Sequence, residues 1–208
     1  ITPIIFIPLG ILATIFAKST GGLIGIIGGF GLLLLLYKKT RLWTIGLGTI
    51  AIITLFTCPL LSGIKDEVLL QDRSGQIRIS MWGEATEFLN DNPITGAGLH
   101  SYQEKIKPYH TTMNGEGIEI FHHPHNIFLT MWANLGILGL IGFVWVLTWY
   151  FRVGLTNLNP QTKILLAVMA VIIITGLVDS PYIKNDLSIL FWLLPALLII
   201  NNRSQSVK

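Results

Sequence analysis

Long apolar runs constrain this chain more than any other feature. A membrane-crossing helix needs about 20 apolar residues, and stretches that approach or exceed that length lie at 2–17, 21–37, 42–61, 127–151, 163–179 and 187–200. Of the 208 residues, 51% are hydrophobic and only 12% are charged. The sequence therefore predicts an all-α membrane protein with about six transmembrane helices. Because it begins at Ile1, inside an apolar run, we expect an N-terminal portion to be missing.

Basic residues are distributed unevenly among the connections between these spans. The connections after the second, fourth and sixth spans share one side of the predicted membrane, and they carry Lys38, Lys39, Arg41, Arg152, Lys163, Arg203 and Lys208. Cytoplasmic loops are enriched in Lys and Arg, so this side is the cytoplasmic one. The resulting segments are transmembrane helices 1–3 in residues 1–61, an extracytoplasmic loop at 62–126, transmembrane helices 4–6 in 127–200, and a cytoplasmic tail at 201–208. The net charge of +3 reflects this orientation bias, and we expect no nucleic-acid partner.

The loop at 62–126 holds most of the residues that could perform chemistry. It contains nine of the eleven acidic residues and all five histidines. Apolar residues recur in the loop at helical spacing and predict an amphipathic helix near 76–90. These residues are Ile77, Met81, Ala85, Phe88 and Leu89. Pro93 ends that pattern, and Gly96 and Gly98 predict a tight turn after it. In the second span, Gly21, Gly25 and Gly29 lie four residues apart, a spacing that predicts close packing of membrane helices.

Arg78 and Trp82 are four residues apart and therefore lie on one face of the predicted loop helix. Two interpretations stay open at this stage. One is a solvated arginine stacked over an indole ring. The other is that the planar guanidinium of Arg78 binds a phosphate or carboxylate at the membrane surface.

Three of the histidines lie in the stretch FHHPHN, directly before the fourth predicted span. If Pro124 takes the first helical position, His125 and Asn126 fall in the first turn, where the helix dipole disfavours an imidazolium. His125 would then be neutral and available as a general base. The alternatives are interfacial histidines that bind nothing, or a metal site built from His123, His125 and loop carboxylates. No HExxH or other zinc-type spacing is present.

Several short motifs together resemble the O-antigen ligase family of integral membrane glycosyltransferases. They are the His125-Asn126 pair followed by GILG at 136–139, the RISMW segment from Arg78 to Trp82, NPITGAG at 92–98, and KNDLSILFW at 184–192. The motifs occur in the family's order over nearly the whole chain. The resemblance implies a GT-C-type helical membrane fold, of which this chain is the C-terminal part.

The resemblance also implies a reaction and roles for particular residues. A glycan would pass from an undecaprenyl diphosphate carrier to an acceptor hydroxyl, with inversion at the anomeric carbon and without metal, nucleotide or other cofactor. His125 resembles the catalytic histidine, and Arg78 resembles the arginine that binds the carrier's diphosphate. Asn126, His123, Lys18 and Trp82 are further substrate-binding candidates. Many relatives have an arginine after a serine before the Gly-rich span, whereas this chain has Ser19-Thr20 with Lys18 as the nearest cation.

The expected partners are the lipid-linked glycan donor, a hydroxyl acceptor on a lipid core, polymer or protein, and the lipid bilayer. The expected location is the bacterial inner membrane, with several membrane passes and an extracytoplasmic active site. Alternative functions are a polysaccharide polymerase of the same superfamily, a membrane transporter, a metal-binding membrane protein and a non-catalytic scaffold. Asp179 and Asp186 read as polar residues at helix ends, and neither is assigned a catalytic role.

Overall fold

The computed structural model describes residues 2–110, 112–113, 116–117, 119–181 and 185–206. Helices make up most of this part of the chain. In order they are α1 (Thr2–Phe16), α2 (Thr20–Leu35), α3 (Arg41–Thr57), α4 (Ser62–Val68), α5 (Arg73–Asp91), α6 (Tyr102–Lys105), α7 (Ile127–Thr156), α8 (Pro160–Gly176) and α9 (Asn185–Ser206). Two 3-10 turns, Pro59–Leu61 and Lys107–Tyr109, and a short antiparallel pair of strands, Thr112–Met113 with Glu116–Gly117, complete the description.

Two helices in the described part of the chain are long and apolar enough to cross a bilayer, α7 and the Leu187–Ser204 part of α9. A third span is obtained if α3 and the Pro59–Asp91 segment, which are bent by 89° relative to each other, are counted as one broken span. Helices α2 and α8 are apolar but shorter. The protein is therefore a helical membrane protein, whereas the number of six spans stays a prediction.

Helix α2 packs against α8 through glycines. Gly25 and Gly29 are buried on α2. A side chain at Gly29 would meet the Ala167 carbonyl oxygen of α8 at 2.7 Å and overlap Val171. The absence of side chains at these positions brings the two helices into contact, so the end of α8 lies beside the start of α2.

Helix α7 is broken at Gly136, whose φ and ψ are 69° and −175°. The turn that follows α5 inserts at this break. The Ile137 N–H donates to the Ile94 carbonyl oxygen at 3.3 Å, and the Ala97 N–H donates to the Ala133 carbonyl oxygen at 2.7 Å. The inserted turn thus supplies hydrogen-bond partners to the interrupted helix backbone.

The apolar face of α5 packs on the segments around it. Ala85, Phe88 and Leu89 are buried together with Tyr102 and other apolar side chains. Glu84 lies on the same face, 7% exposed, and its Oε2 is 3.1 Å from His110 Nδ1. Burial, and then the Glu84 charge, raise the pKa of the Tyr102 phenol. This packing fixes α5, which carries Arg78, relative to the N-terminal part of α7.

Candidate active site

Helix α7 begins one residue after Asn126, and this boundary sets the position of His125. The Asn126 side-chain oxygen accepts hydrogen bonds from the N–H groups two and three residues ahead, at 3.0 and 3.1 Å. Its Nδ2 donates to the Leu177 carbonyl oxygen at 3.0 Å. The prediction that Pro124 opens the helix, with His125 and Asn126 in the first turn, is therefore wrong. Asn126 is the N-cap, and His125 has a left-handed φ of 49° that a helix cannot continue.

The imidazole of His125 pairs with Asp179, 54 residues later in the chain. Its Nδ1 is 3.1 Å from Asp179 Oδ1, and the same oxygen accepts the Ser180 N–H at 2.7 Å. The hydrogen bond with His125, helped by the Ser180 N–H and opposed by burial, lowers the pKa of Asp179 to about 2. An ionised carboxylate can only accept hydrogen bonds, so the ring carries its proton on Nδ1. In the neutral form of this ring, the lone pair is on Nε2, which is the atom that accepts a proton.

Two aromatic rings pack against this pair. The His123 ring centroid is 4.5 Å from that of His125, and His123 Nδ1 accepts the His125 backbone N–H at 3.3 Å. Phe121 packs edge-on against the His125 ring, with 5.1 Å between centroids. One possible metal-ligand atom from each of His123, His125 and Asp179 lies within 4.8 Å of the other two. These three residues could therefore hold a cation. The carboxylate in this set is Asp179, whereas the sequence pointed to carboxylates of the 62–126 loop.

Arg78 and Trp82 on α5 both donate to backbone carbonyls near the pair. Arg78 Nε donates to the Val178 carbonyl oxygen at 2.8 Å, and its Nη1 donates to Ser74 Oγ at 2.8 Å. Trp82 Nε1 donates to the Pro124 carbonyl oxygen at 2.9 Å. Arg78 is thus bonded to the residue that precedes Asp179, while Trp82 holds the segment that carries His125. The side chain of Trp82 therefore has a positioning contact in this structure.

A cleft of about 190 Å³ lies beside Arg78, between the start of α2 and the end of α8. We call it the Arg78 cleft, and its lining includes Lys18, Glu67, Asp72, Arg78, Asp179 and the backbone at Thr20–Gly22. Asp72 caps α5 through the Ser74 and Gly75 N–H groups. Glu67 accepts the Thr20 hydroxyl at 2.5 Å. Lys18 and Arg78 are the cationic side chains of this cleft.

A larger cavity of about 700 Å³ lies on the histidine side of the site. We call it the histidine cavity, and it is lined by Leu99, His100, Phe121, His122, His123, His125, Thr130, Met131, Asn134, Leu135 and Ser188. A smaller cavity of about 190 Å³ has both Arg78 and His125 in its lining. His125 and Phe121 line this smaller cavity and the histidine cavity. Among the described residues, His125 thus lines both the largely apolar histidine cavity and a smaller cavity that Arg78 also lines.

Left-handed backbone conformations occur along both spaces. In the described part of the chain, the non-glycine residues with positive φ are Lys18, Leu70, His100 and His125, at 49°, 57°, 60° and 49°. Lys18 and Leu70 line the Arg78 cleft, and His100 and His125 line the histidine cavity. Such conformations cost about 1–3 kcal/mol each and concentrate at functional sites. Their positions support these cavities as the candidate active site.

The structure places four of the sequence candidates, His125, His123, Arg78 and Lys18, in the lining of these cavities. The other two candidates, Asn126 and Trp82, lie beside the site, but their side chains donate to the backbone carbonyl oxygens of Leu177 and Pro124. Asp179 was not assigned a catalytic role from the sequence. In the sequence, Asp179 is distinguished by its position at the end of a predicted span, where acidic residues are few. No local pattern links Asp179 to His125.

The fold and the site define a helical membrane protein with a histidine–aspartate pair and an adjacent guanidinium. The chain belongs to the O-antigen ligase family, because its residues 5–144 match the family model described as O-antigen ligase. This match confirms the predicted resemblance. The matched segment includes Lys18, Arg78 and His125 and ends before Asp179.

A second comparison gives a relative of greater length. An uncharacterized protein of Haemophilus influenzae (strain ATCC 51907 / DSM 11121 / KW20 / Rd) is 26% identical to this chain over 176 residues. The alignment covers 74% of this chain and 44% of the relative. The chain thus spans less than half the length of that relative.

Proposed function

We propose that this protein is an O-antigen ligase-like membrane glycosyltransferase that works without metal or nucleotide. It transfers a glycan from an undecaprenyl diphosphate carrier to an acceptor hydroxyl and inverts the anomeric centre. The observation that carries the proposal is the His125–Asp179 pair, with 3.1 Å between Nδ1 and Oδ1, in a member of this family beside the anchored guanidinium of Arg78. Asp179 is the positioning residue for His125.

The Arg78 cleft is the donor side of the site. A diphosphate needs cations and N–H donors, and this cleft offers Arg78, Lys18 and the N-terminal backbone of α2. Lys18 takes the place of the arginine that the family pattern has nearby, and it acts as a point charge. Glu67, Asp72 and Asp179 also line the cleft, where Glu67 accepts from Thr20, Asp72 caps α5 and Asp179 pairs with His125. Their charges remain, so Arg78 and Lys18 offset these carboxylates as well as the diphosphate.

The histidine cavity is the acceptor side, and its volume is in the range of small-ligand sites. The acceptor hydroxyl transfers its proton to His125 Nε2 while its oxygen attacks the anomeric carbon. The bond from that carbon to the diphosphate oxygen breaks, and its electron pair stays on the phosphate. Arg78 stabilises this negative charge, and Asp179 stabilises the imidazolium that forms. His123 lines the same cavity and contacts the acceptor.

We place the reaction outside the cytoplasm. The six predicted spans and the basic cytoplasmic connections put residues 62–126, which carry Arg78 and His125, on the outer side of the bacterial inner membrane. A polysaccharide polymerase would use the same donor chemistry with a second lipid-linked glycan as acceptor. Its product would be a ladder of chain lengths, whereas a ligase transfers a preformed glycan once.

The test is a transfer assay with the full-length protein in liposomes and an undecaprenyl diphosphate-linked glycan. We expect His125→Ala and Arg78→Ala each to lower turnover by at least ~10²-fold, the scale for loss of a general base or a charge-stabilising donor. Arg152→Ala, at an exposed position in α7 remote from the candidate site, is the matched control and should transfer at the wild-type rate. Rates near wild type in both site variants would remove the proposed site.

A further inference from the structure

His123, His125 and Asp179 form a cluster of side chains that could hold a metal ion. One nitrogen or oxygen atom from each residue lies within 4.8 Å of the other two. Zinc binds histidine nitrogen and carboxylate oxygen at about 2.0–2.2 Å, so adjacent ligand atoms of a tetrahedral site are about 3.3 Å apart. His125 Nδ1 and Asp179 Oδ1 already have a separation of 3.1 Å. The ligand atom of the partly buried His123 lies within 4.8 Å of the other two, so its ring has to move closer to complete the set.

The donor atoms also select the metal. Magnesium and calcium bind mainly oxygen ligands, whereas two imidazoles with one carboxylate suit zinc and leave a fourth position for water. His123 and His125 line the histidine cavity, which provides a route for the ion from solvent. The neighbouring His122 is exposed, and its ring stacks with His100 at 6.2 Å between centroids. His122 is therefore not a member of this ligand set.

Zinc at His125 Nδ1 would change the tautomer of the ring. The ion takes the position of the Nδ1 proton, and a neutral coordinated imidazole then carries its proton on Nε2. The proton moves within the ring and none is lost. Nε2 no longer has a lone pair, so it cannot accept the acceptor's proton. The hydrogen bond from Nδ1–H to Asp179 is replaced by two metal–ligand bonds.

We propose that His123, His125 and Asp179 form a reversible zinc site whose occupancy inhibits the enzyme. The binding part stands on the three residues alone. The inhibition part rests on the proposed function, because it requires His125 to act as the base. Zinc on Nδ1 would thus remove the lone pair that catalysis needs on Nε2 of the same ring, and a chelator would restore transfer.

The binding test uses the full-length protein in detergent, titrated with zinc chloride by calorimetry. Cobalt(II) replaces zinc in a parallel titration, where its visible absorption reports tetrahedral nitrogen and oxygen ligands. We expect one ion per chain. His123→Ala should weaken zinc binding by at least ~10-fold, whereas the adjacent His122→Ala is the matched control and should retain wild-type affinity.

The activity test measures transfer with and without zinc and compares each variant with its own zinc-free rate. We expect zinc to inhibit the wild-type protein and His122→Ala at the same concentration, and His123→Ala only at a concentration at least ~10-fold higher. Absence of zinc binding, or equal weakening by His122→Ala and His123→Ala, would overturn the site. Zinc that binds and raises the transfer rate would overturn the inhibition. Normal zinc binding with no transfer under any condition would support the site and contradict the proposed function.

Discussion

At His125, a single hydrogen bond determines which ring nitrogen can accept a proton. Asp179 accepts from Nδ1 at 3.1 Å and so leaves Nε2 with its lone pair. Arg78 is bonded to the carbonyl of the residue before Asp179, at 2.8 Å. The proposed base, His125, and the proposed cation, Arg78, therefore both bond to the same short segment after α8. A change in that segment should affect both proton transfer and leaving-group stabilisation.

We expect Asp179→Asn to lower turnover by about 10²–10⁴-fold. The amide can donate to Nδ1, which favours the tautomer that has its proton on Nε2. The measurement is kcat and KM for the lipid-linked donor in the reconstituted assay, and the effect should fall mainly on kcat. Asp66→Asn, a loop aspartate outside the lining of the cavities described, is the control. An unchanged kcat in Asp179→Asn would contradict the positioning role.

Lys18 should contribute to donor binding as a point charge. Loss of one hydrogen bond to a charged group is worth about 1.5 kcal/mol, which corresponds to about a tenfold change in affinity. We therefore expect Lys18→Ala to raise the KM for the donor by about tenfold, and Lys18→Arg to retain the wild-type KM. Lys39→Ala, an exposed lysine in the connection between α2 and α3, should leave the KM unchanged. Equal KM values for Lys18→Ala and wild type would place the diphosphate elsewhere.

At the scale of the elements, contact between α2 and α8 brings Lys18 near Arg78 and Asp179. A Cβ at Gly29 would lie 2.7 Å from a backbone oxygen of α8, whereas nothing lies within 4 Å of a Cβ at Gly31. We expect Gly29→Ala to destabilise the protein by about 1–3 kcal/mol and Gly31→Ala to leave it as stable as wild type. Thermal unfolding in detergent measures both. Equal melting temperatures for the two variants would contradict the close packing.

The break in α7 should tolerate no side chain. At Gly136, φ is 69° and an added Cβ would overlap the Ile94 carbonyl oxygen. We expect Gly136→Ala to lower the free energy of unfolding by at least about 1–3 kcal/mol. Gly142→Ala in the same helix, where a Cβ meets nothing within 4 Å, should be neutral or slightly stabilising because alanine favours helix. Urea unfolding followed by circular dichroism distinguishes the two.

Local sequence patterns account for the helices better than for their ends. The apolar spacing at 76–90 predicts a helix, and α5 runs from Arg73 to Asp91. The prediction for the start of α7 is wrong because it relies on the preference of proline for the first helical position. The capping hydrogen bonds of Asn126 set the start instead. The kink at Gly136 depends on a turn about 40 residues earlier in the chain. The partner of His125 lies 54 residues later, so spacing within a motif could not identify Asp179.

At the scale of the whole molecule, exposed apolar surface supports a membrane environment. None of the residues of α3 is buried, and Leu42 and Trp43 are 80% and 75% exposed. A large contiguous apolar surface is unfavourable in water, whereas lipid chains solvate it. Helix α3 therefore has the composition of a lipid-facing helix even though its 17 residues are fewer than a full span.

The six-span arrangement predicts which connections face the outside. In a Cys58→Ser background, which removes the chain's one cysteine, a membrane-impermeant maleimide should label Glu87→Cys in intact cells whose outer membrane has been permeabilised. Lys39→Cys should be labelled only after the inner membrane is opened. Both positions are exposed in the structure, so a difference in labelling reports the side of the membrane and not burial. Labelling of Lys39→Cys alone in intact cells would invert the topology and put His125 in the cytoplasm. Extracytoplasmic glycan transfer would then be impossible with this site, because the base would be on the wrong side of the membrane from the acceptor.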